Sequence, residues 1–573
     1  MEKVWRMRGG VESLGDELSL GISCSPLLTR LLRRRGVSGP EAAERFLHPK
    51  PTHLRDPFEL PDMDRAVQRI ERAIRERQPI AIFGDYDVDG ITSTCLLREF
   101  FRFIGVPVNF RLPNRLEEGY GIRRGAVEEL AGQGVKLIIT VDNGSSAVEE
   151  VDLASKLGVD VVVTDHHQLP PELPKAVAVV NPCGSKYPFQ GLAGVGVTFK
   201  LVWGLAQRLS KQAKVSERFR NFLVESLALV ALGTISDVVP LLDENRVFAK
   251  FGLTALEQTK CPGLRLLVES VLKDKPSNRL DADDIGFRIG PRLNAAGRLG
   301  KADAAMRLLL AESESEAQML VQVLERENRR RQKIEEEIFV AARQLVEREV
   351  NLSNARAIVL ASEGWHPGVI GIVASRICEE FFRPTILISL SGHRGRGSAR
   401  SIPGVPICDA LAACSEHLLG FGGHEMAAGV EVDSEHLDAL RAALNSAIAL
   451  EPSQMVPEID IDAEISLADL SFQLLEELAL LAPHGIGNPE VVLSVEKADV
   501  VGEPRIVGGN GRHLAFHVRQ GGTVRRAIAF GKAEFYPSIS RQGAQVSLIL
   551  QPRLSNWQGR SEIELHVREI RAT

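Results

Sequence analysis

Four segments in the first half of the chain carry aspartate and histidine, residue types that bind divalent cations. Three of them come directly after short apolar runs, and the fourth follows a longer apolar stretch. The segments are Gly84-Asp-Tyr-Asp-Val-Asp-Gly90, Val141-Asp-Asn-Gly144, Thr164-Asp-His-His167 and Ile235-Ser-Asp237. Functional loops of open α/β sheets lie outside the carboxyl ends of the strands, so we expect all four segments to meet at one sheet edge.

The first segment has aspartates at alternating positions. In an extended segment, residues two apart point to the same side, so we expect Asp85, Asp87 and Asp89 to face one ion site. Several carboxylates stay ionised together only beside a compensating cation. Carboxylate and imidazole ligands suit Mn²⁺ or Mg²⁺ better than the thiolate-rich sites of structural zinc. The other segments add the candidate ligands Asp142, His166 and Asp237.

Other kinds of site fit the sequence less well. A calcium loop beginning at Asp85 needs a glutamate at its twelfth position, and that residue is Leu96. The stretch from Gly194 to Phe199 lacks the third glycine of a dinucleotide-binding motif, and the chain has no G-x-S-x-G or Walker A lysine. Two ions that share an aspartate can activate water and neutralise a phosphoryl group, so the sequence predicts hydrolysis of a phosphoester.

The elements that would position these residues alternate between strand and helix from Pro79 onwards. Continuous apolar runs, typical of strands buried on both faces, occur at 80–83, 137–141 and 159–163, with a further strand-like run at 106–112. Helical spacing lies between them, at 92–104, 124–132 and 147–157. This alternation predicts a parallel sheet with crossover helices.

Length and composition set the number of domains and the compartment. A single core rarely exceeds about 250–300 residues, so 573 residues predict two to four domains. The seven cysteines are odd in number and irregularly spaced, which indicates reduced thiols in a cytoplasmic protein. We expect no signal peptide at the N-terminus and no membrane span, because polar residues interrupt the most apolar run, 222–242. The net charge of −6 argues against a uniformly basic surface but allows a local basic groove.

The chain divides into five predicted parts. An irregular N-terminal wrapping segment precedes the first α/β domain, and a charge-rich helix connects that domain to a second, smaller α/β domain. Short strands with glycine turns past Pro457 predict a terminal β-barrel. The predicted boundaries are 1–59, 60–312, 313–350, 351–452 and 456–573.

Several motifs resemble a known family. Asp85-Tyr-Asp-Val-Asp-Gly90 and Asp165-His-His167 resemble the first and third motifs of the DHH phosphoesterases. Further stretches narrow the resemblance to the single-strand-specific 5′→3′ DNA exonucleases of that superfamily, from about residue 60 to the C-terminus. These stretches are 112–121, 191–200, 290–298, 364–371, 397–401, 422–424 and 483–489. The resemblance implies a parallel-sheet DHH domain, a long helix, a smaller α/β DHH-associated domain and a C-terminal OB-fold barrel.

The resemblance also implies roles for matching residues at the metal site. Asp87 would hold one Mn²⁺ or Mg²⁺ ion, assisted by Asp85. Asp142 would bridge the two ions, and His167 would contact the scissile phosphate or orient its neighbour. The second ion would bind Asp89, His166 and Asp237.

In the second domain, the resemblance implies binding of the 5′-terminal phosphate of DNA by Ser398 and Arg400, joined by Arg298. Arg115 and His424 would bind neighbouring phosphates. By residue type alone, Arg394, Arg396 and Arg400 form a glycine-rich basic loop suited to an anion. In the barrel, charge could come from Arg505, Arg512, Arg525 and Arg526. Phe516 or Trp557 could supply a stacking face, although core packing is the favoured use of either ring.

The implied function is degradation of single-stranded DNA from its 5′ end to mononucleotides, in DNA recombination and repair. A helicase and a single-strand-binding protein are the implied partners, and a monomer is the expected state. Two alternatives stay open: a DHH enzyme for short oligonucleotides, cyclic dinucleotides or pyrophosphate, and a non-catalytic replication scaffold. Relatives with small substrates need only the two α/β domains, and scaffold paralogues lose metal ligands, whereas this chain has both the extra domain and the ligands.

Overall fold

The computed structural model describes residues 3–8, 24–115, 118–211, 214–273, 275, 279–299, 302–557 and 560–572. The chain forms two compact units. The first unit contains residues 55–239 and 247–457, and the second contains 3–54, 240–246 and 458–573. All the residues predicted to bind metal or the DNA end lie in the first unit.

The first sheet of the first unit has five parallel strands, which confirms the predicted parallel sheet. Its strands, in spatial order, are Val108–Arg111, Ile80–Phe83, Leu137–Val141, Asp160–Thr164 and Ala178–Val180. Its crossover helices are Val88–Phe103, Arg124–Gly132 and Val148–Lys156. The three strands that precede the acidic segments are neighbours, so their carboxyl ends meet at one edge of the sheet.

A helical layer follows the first sheet. It consists of Gly194–Ser210, Glu217–Ser236, Asp243–Glu257, Pro262–Leu272, a π-helix Asp284–Ile289, Gly290–Arg298 and Ala302–Leu309. Helix Glu217–Ser236 is long and apolar enough to cross a membrane, but 61% of its most apolar window is buried in the protein. The predicted connecting helix spans Glu314–Glu349, and Ser313 caps it by accepting a hydrogen bond from the Glu316 amide.

The second sheet of this unit has five strands, and only Ile358–Glu363 and Thr385–Ser391 pair in parallel. The other strands are Arg394–Arg400, Ala427–Asp433 and Gly420–His424, with helices Ile370–Phe381, Ile407–Ala412 and Leu437–Ala447. The expectation of a basic loop at 394–400 is wrong, because this stretch is a central strand. A Cβ at Gly395 would lie 2.6 Å from Ile388, so glycine here permits close strand packing.

A closed barrel forms the core of the second unit. Its strands are Leu493–Val507, His513–Gln520, Thr523–Ala529, Arg560–Ala572 and Gln545–Trp557, and pairing of the first with the last closes it. Phe516 is only 2% exposed and packs inside the barrel, so of its two possible uses, base stacking and core packing, the structure shows core packing. The side chain of Trp557 lies outside the described residues.

The described N-terminal residues of the second unit are less irregular than the sequence suggested. Strand Val4–Met7 pairs in parallel with Glu458–Ile461. Helices Pro26–Arg34 and Pro40–Leu47 pack their apolar residues into the barrel core. The Ser25 hydroxyl accepts from the Leu28 amide at 3.2 Å, a helix start that Ser25-Pro26 signals in the sequence. The rest of the predicted wrapping segment, 1–2 and 9–23, lies outside the described residues.

Candidate metal centre and phosphate-binding group

The acidic and histidine side chains of the four predicted segments come together at the carboxyl edge of the parallel sheet. Candidate ligand atoms lie within 4.8 Å of one another in each of three groups. One group is Asp85, Asp87 and Asp142; another is Asp89, His166 and Asp237; the third is Asp142, His166 and His167. Asp142 thus shares one group with Asp85 and Asp87 and another with His166, which is also in the group of Asp89 and Asp237, so it could be a ligand shared by two ions.

The first segment does not stay extended, and this separates its aspartates. Helix Val88–Phe103 begins directly after Asp87, whose carboxylate caps it by accepting from the Gly90 amide at 3.0 Å. Asp89 is already the second helical residue and joins a different group from Asp85 and Asp87. The expectation that all three face one ion site is wrong, because the two-residue alternation ends where the helix begins.

A second helix holds the Asp89 carboxylate. Its oxygens accept from the backbone amides of Gly194 at 2.6 Å and Val195 at 2.9 Å. These amides begin helix Gly194–Ser210, whose N-terminus carries partial positive charge that favours an anion. A Cβ at Gly194 would lie 2.7 Å from the Asp142 Cβ, so only glycine allows this helix to approach both carboxylates.

His166 brings the aspartate groups together through a single ring nitrogen. Its Nε2 lies 3.1 Å from Asp142 Oδ1, 3.6 Å from Asp237 Oδ2 and 3.7 Å from Asp89 Oδ2. Burial, reinforced by the neighbouring His167, lowers the pKa of His166 to about 4. The ring is therefore neutral at physiological pH and has a lone pair to donate to a cation.

Asp165 fixes both histidines, a role that the sequence reasoning did not assign although it quoted this residue in Asp165-His-His167. Its carboxylate accepts from His167 Nδ1 at 2.8 Å, and from the amides of His166 and Ser145 at 2.8 and 2.9 Å. Burial is the largest single influence on the pKa of Asp165 and would raise it, but the hydrogen bond and charge of His167, with the charge of His166 and the Ser145 amide, together lower that pKa. Burial likewise opposes ionisation of His167, but the hydrogen bond and charge of Asp165, with the charges of Asp87 and Asp89, together raise its pKa.

Tyr120 and Asn294 also support the metal centre and were not predicted. The Tyr120 hydroxyl donates to the Asp142 carbonyl at 3.1 Å and lies 3.0 Å from His167 Nδ1. Burial raises the pKa of Tyr120, so the hydroxyl keeps its proton as a donor. Asn294 Oδ1 accepts from the Val88 amide at 3.1 Å, which ties helix Gly290–Arg298 to the first acidic loop. Both residues lie in stretches that carry the family resemblance, 112–121 and 290–298, which is the sequence signal that could have pointed to them.

The donor set fits divalent cations. Burial, with the repulsion of neighbouring carboxylates, raises the pKa of Asp85, Asp142 and Asp237 well above the ordinary value and that of Asp89 to about 7. Asp85 Oδ1, Asp142 Oδ1 and His166 Nε2 are buried without a hydrogen-bond partner. Such atoms are rare in folded proteins, and cations in the two ligand groups would satisfy all three. Carboxylate oxygens with one imidazole are ligands suited to Mn²⁺ or Mg²⁺.

The predicted phosphate-binding residues form a basic group next to the metal centre. Burial, together with the nearby cations of Arg115, Arg331 and Arg400, lowers the pKa of Arg298 to about 9. The carboxylate of Asp87 raises the pKa of the same guanidinium, so the first acidic loop is also close to Arg298. Arg115 also lies over the ring of Tyr86, with its guanidinium carbon 4.9 Å from the ring centre.

Ser398 and Arg400 are joined on strand Arg394–Arg400, where the Arg400 guanidinium donates to the Ser398 hydroxyl at 2.9 Å. A Cβ at Gly371 would lie 2.9 Å from that hydroxyl and 3.1 Å from Arg400 Nη2, so the start of helix Ile370–Phe381 touches both side chains. His424 ends the edge strand Gly420–His424, is exposed, and contributes to lowering the pKa of His166. All twelve predicted site residues thus lie in the metal centre, in the basic group or, as His424, within electrostatic reach of the metal centre.

Comparisons with known proteins agree with this architecture. Family models match at residues 79–234 (DHH family, N-terminal domain), 354–450 (DHHA1 domain) and 461–569 (RecJ OB domain). The single-stranded-DNA-specific exonuclease RecJ of Bacillus subtilis is 37% identical over 98% of this chain and 69% of its own length. RecJ of Haemophilus influenzae is 34% identical over 96% and 97%.

A solved structure is similar over nearly the whole chain. The crystal structure of RecJ in complex with Mn²⁺ from Thermus thermophilus matches with a TM-score of 0.80 and 32% identity, covering 95% of this chain and 76% of that one. The matched domains, the full-length relatives and the acidic centre all lead to one assignment. The chain belongs to the RecJ family of single-stranded-DNA-specific exonucleases.

Proposed function

We propose that this chain hydrolyses single-stranded DNA from its 5′ end, one nucleotide at a time, with two divalent ions in the acidic centre. The observation that carries the proposal is the basic group of Arg115, Arg298 and Arg400 directly beside that centre. In this proposal, an end phosphate held by this group would bring the next phosphodiester to the acidic centre. Such an arrangement suits removal of mononucleotides from a phosphorylated end.

The residues of the acidic centre divide into two ligand sets in this proposal. Asp85 and Asp87 would hold one ion, and Asp142 would contact both ions. The second ion would bind Asp89, His166 and Asp237. When bound, such a pair of ions supplies an activated water and neutralises charge on the phosphoryl group.

The remaining residues orient the substrate and the ligands. His167, with Nδ1 directed to Asp165, presents its other ring nitrogen for the scissile phosphate. The raised pKa of His167 favours the imidazolium, which attracts a phosphate oxygen. Ser398 and Arg400 would receive the terminal phosphate with Arg298, and Arg115 and His424 would hold neighbouring phosphates. Arginine suits this role because its planar fork makes paired hydrogen bonds to phosphate.

The domain division, partners and compartment belong to the same proposal. The five-part division into 1–59, 60–312, 313–350, 351–452 and 456–573 is supported by family models that match separate stretches of the chain. A cytoplasmic monomer acting beside a helicase and a single-strand-binding protein would suit an enzyme that needs an open strand. A small-substrate activity has less support, because the barrel matches a RecJ OB domain that such an enzyme does not need.

The test is digestion with Mn²⁺ of one oligonucleotide labelled either at its 5′ or at its 3′ end, with a blunt duplex as control. We expect a 5′ label to appear at once as mononucleotide, and a 3′ label to pass through a ladder of shortening products. The duplex should stay intact. Immediate release of the 3′ label, or equal cleavage of the duplex, would contradict the proposal.

A further inference from the structure

Phe287 is exposed to an unusual degree. Its side chain is 78% exposed, the largest fraction for any large apolar residue in the described part of the chain. Aromatic rings of this size are normally buried or covered by a partner. The ring is therefore a candidate contact for a ligand.

The position of Phe287 is next to the metal centre. It lies in the π-helix Asp284–Ile289, which continues directly into helix Gly290–Arg298. A Cβ at Gly290 would lie 2.8 Å from the hydroxyl of Ser236, the residue before Asp237. Three residues correspond to about 5 Å along a helix axis, so Phe287 lies within one turn of that contact.

The same helix reaches the metal centre again further along. Asn294 bonds to the Val88 amide, and Arg298 belongs to the basic group. Phe287 thus projects from the element that joins both parts of the site. π-Helical turns often occur at functional sites, where they change the direction in which a side chain points.

The turn that carries Phe287 is held rigidly. Asp284 bonds to Lys275 and accepts from Arg288 Nη1 at 3.2 Å. Arg292 binds Glu325 on the long helix at 2.7 Å. An ordered backbone at the turn limits the conformational entropy that is lost when a planar ligand stacks on the ring. The exposure of Phe287 is therefore a property of an ordered turn.

The turn that carries Phe287 is open on the side of Gly286. Apart from the chain neighbours and the helix's own backbone, no atom lies within 4 Å of a Cβ placed at Gly286. Val238, the residue after Asp237, is a second exposed apolar side chain in this part of the chain, at 63% exposed. The space beside Gly286 is therefore available to a planar group that approaches the turn.

We propose that Phe287 stacks on a nucleobase of the single strand that lies against the acidic centre. This inference rests on the proposed function, and the continuity of the helix with the metal centre and the basic group favours DNA as the occupant. Every base has a π-face, so a stacking contact is tolerant of sequence and suits an enzyme that degrades any strand.

The experiment compares Phe287→Leu and Phe287→Trp with the wild-type chain in Mn²⁺, using 5′-phosphorylated oligonucleotides. Phe472→Leu, on an exposed phenylalanine of helix Phe472–Ala479, is the matched control. We expect Phe287→Leu to raise KM about tenfold with little change in kcat, since stacking on one base contributes roughly 5- to 100-fold in affinity. Phe287→Trp and Phe472→Leu should match the wild type.

A series of strands with one abasic position, moved through about the first ten nucleotides, identifies the contacted base. At one position, loss of the base should raise the KM of the wild-type chain until it equals the KM of Phe287→Leu on the same strand. The stacking role is wrong if Phe287→Leu has the same KM as the wild type, or if the two KM values differ at every abasic position. Either result leaves the proposed exonuclease activity unaffected. A wild-type chain that leaves single strands intact overturns both.

Discussion

Gly194→Ala should damage the metal centre without unfolding the chain. A Cβ at this position would lie 2.7 Å from the Asp142 Cβ and 2.8 Å from its Oδ1, whereas carbon contacts are normally about 3.5–4.0 Å. Asp142 or the helix must therefore move by roughly 0.8 Å, more than the about 0.5 Å that a catalytic constellation tolerates. The Gly194 amide also binds Asp89, so a shift of the helix disturbs both ligand groups.

The expected losses follow from that displacement. Misplacement of a catalytic group by about 1 Å costs roughly 100-fold in rate, and a disturbed ligand costs about 10- to 100-fold in metal affinity. The stability of the ion-free chain should change by less than about 2 kcal/mol, since the helix preference of alanine offsets part of the crowding.

The assays are calorimetric titration with Mn²⁺ and the rate of digestion of a 5′-phosphorylated single strand. Gly196→Ala is the control, because it lies on the same helix and its Cβ would meet nothing closer than Leu192 Cδ2 at 3.5 Å. This control should bind Mn²⁺ and digest DNA within about threefold of the wild type. If Gly194→Ala matches Gly196→Ala in both assays, the close approach of helix and carboxylate has no part in holding the ions.

Three further predictions concern the end-binding group, the histidines and pH. Arg400→Ala should reduce the preference for a 5′-phosphorylated over a 5′-hydroxyl end by roughly 10- to 150-fold, because hydrogen bonds to a charged group contribute about 1.5–3 kcal/mol. If the ratio of the two digestion rates does not change, Arg400 does not bind the end phosphate. Asp165→Asn should lower kcat about 10- to 100-fold by releasing His167, with the chain still folded by circular dichroism; full activity contradicts this role. Because burial raises the pKa of Asp89 to about 7, folding without ions takes up protons, so stability should fall as pH rises through 7. Binding of Mn²⁺ releases those protons, so the rise in Tm that Mn²⁺ causes should be larger at pH 8 than at pH 5. A rise in Tm that does not depend on pH would count against the buried carboxylates as ligands.

The sequence was informative wherever a buried strand ended in polar residues. Continuous apolar runs such as 137–141 identify a central strand, and strand ends in a parallel sheet share an edge. This pattern is sufficient to predict that Asp142 and His166 lie close together. It could not assign Asp89 to its group, because the assignment depends on a helix that begins one residue after Asp87.

Other features depend on contacts between distant segments. The stretch 394–400 has the composition of a loop, yet Gly395 and Gly397 are needed because side chains of adjacent strands fill the space a Cβ would take. Tyr120 supports Asp142 and His167 through one hydroxyl, and nothing in its neighbours predicts which partners it meets. Phe516 could have stacked on DNA by residue type, but the barrel closes around it.

The most direct test of the two-ion centre is the anomalous scattering of Mn²⁺ bound to crystals of this chain, measured at the manganese absorption edge. We expect two peaks, with the carboxylate of Asp142 in contact with both. One peak should contact Asp85 and Asp87, and the other Asp89, His166 and Asp237. A single peak, or two peaks that do not share Asp142, would contradict it.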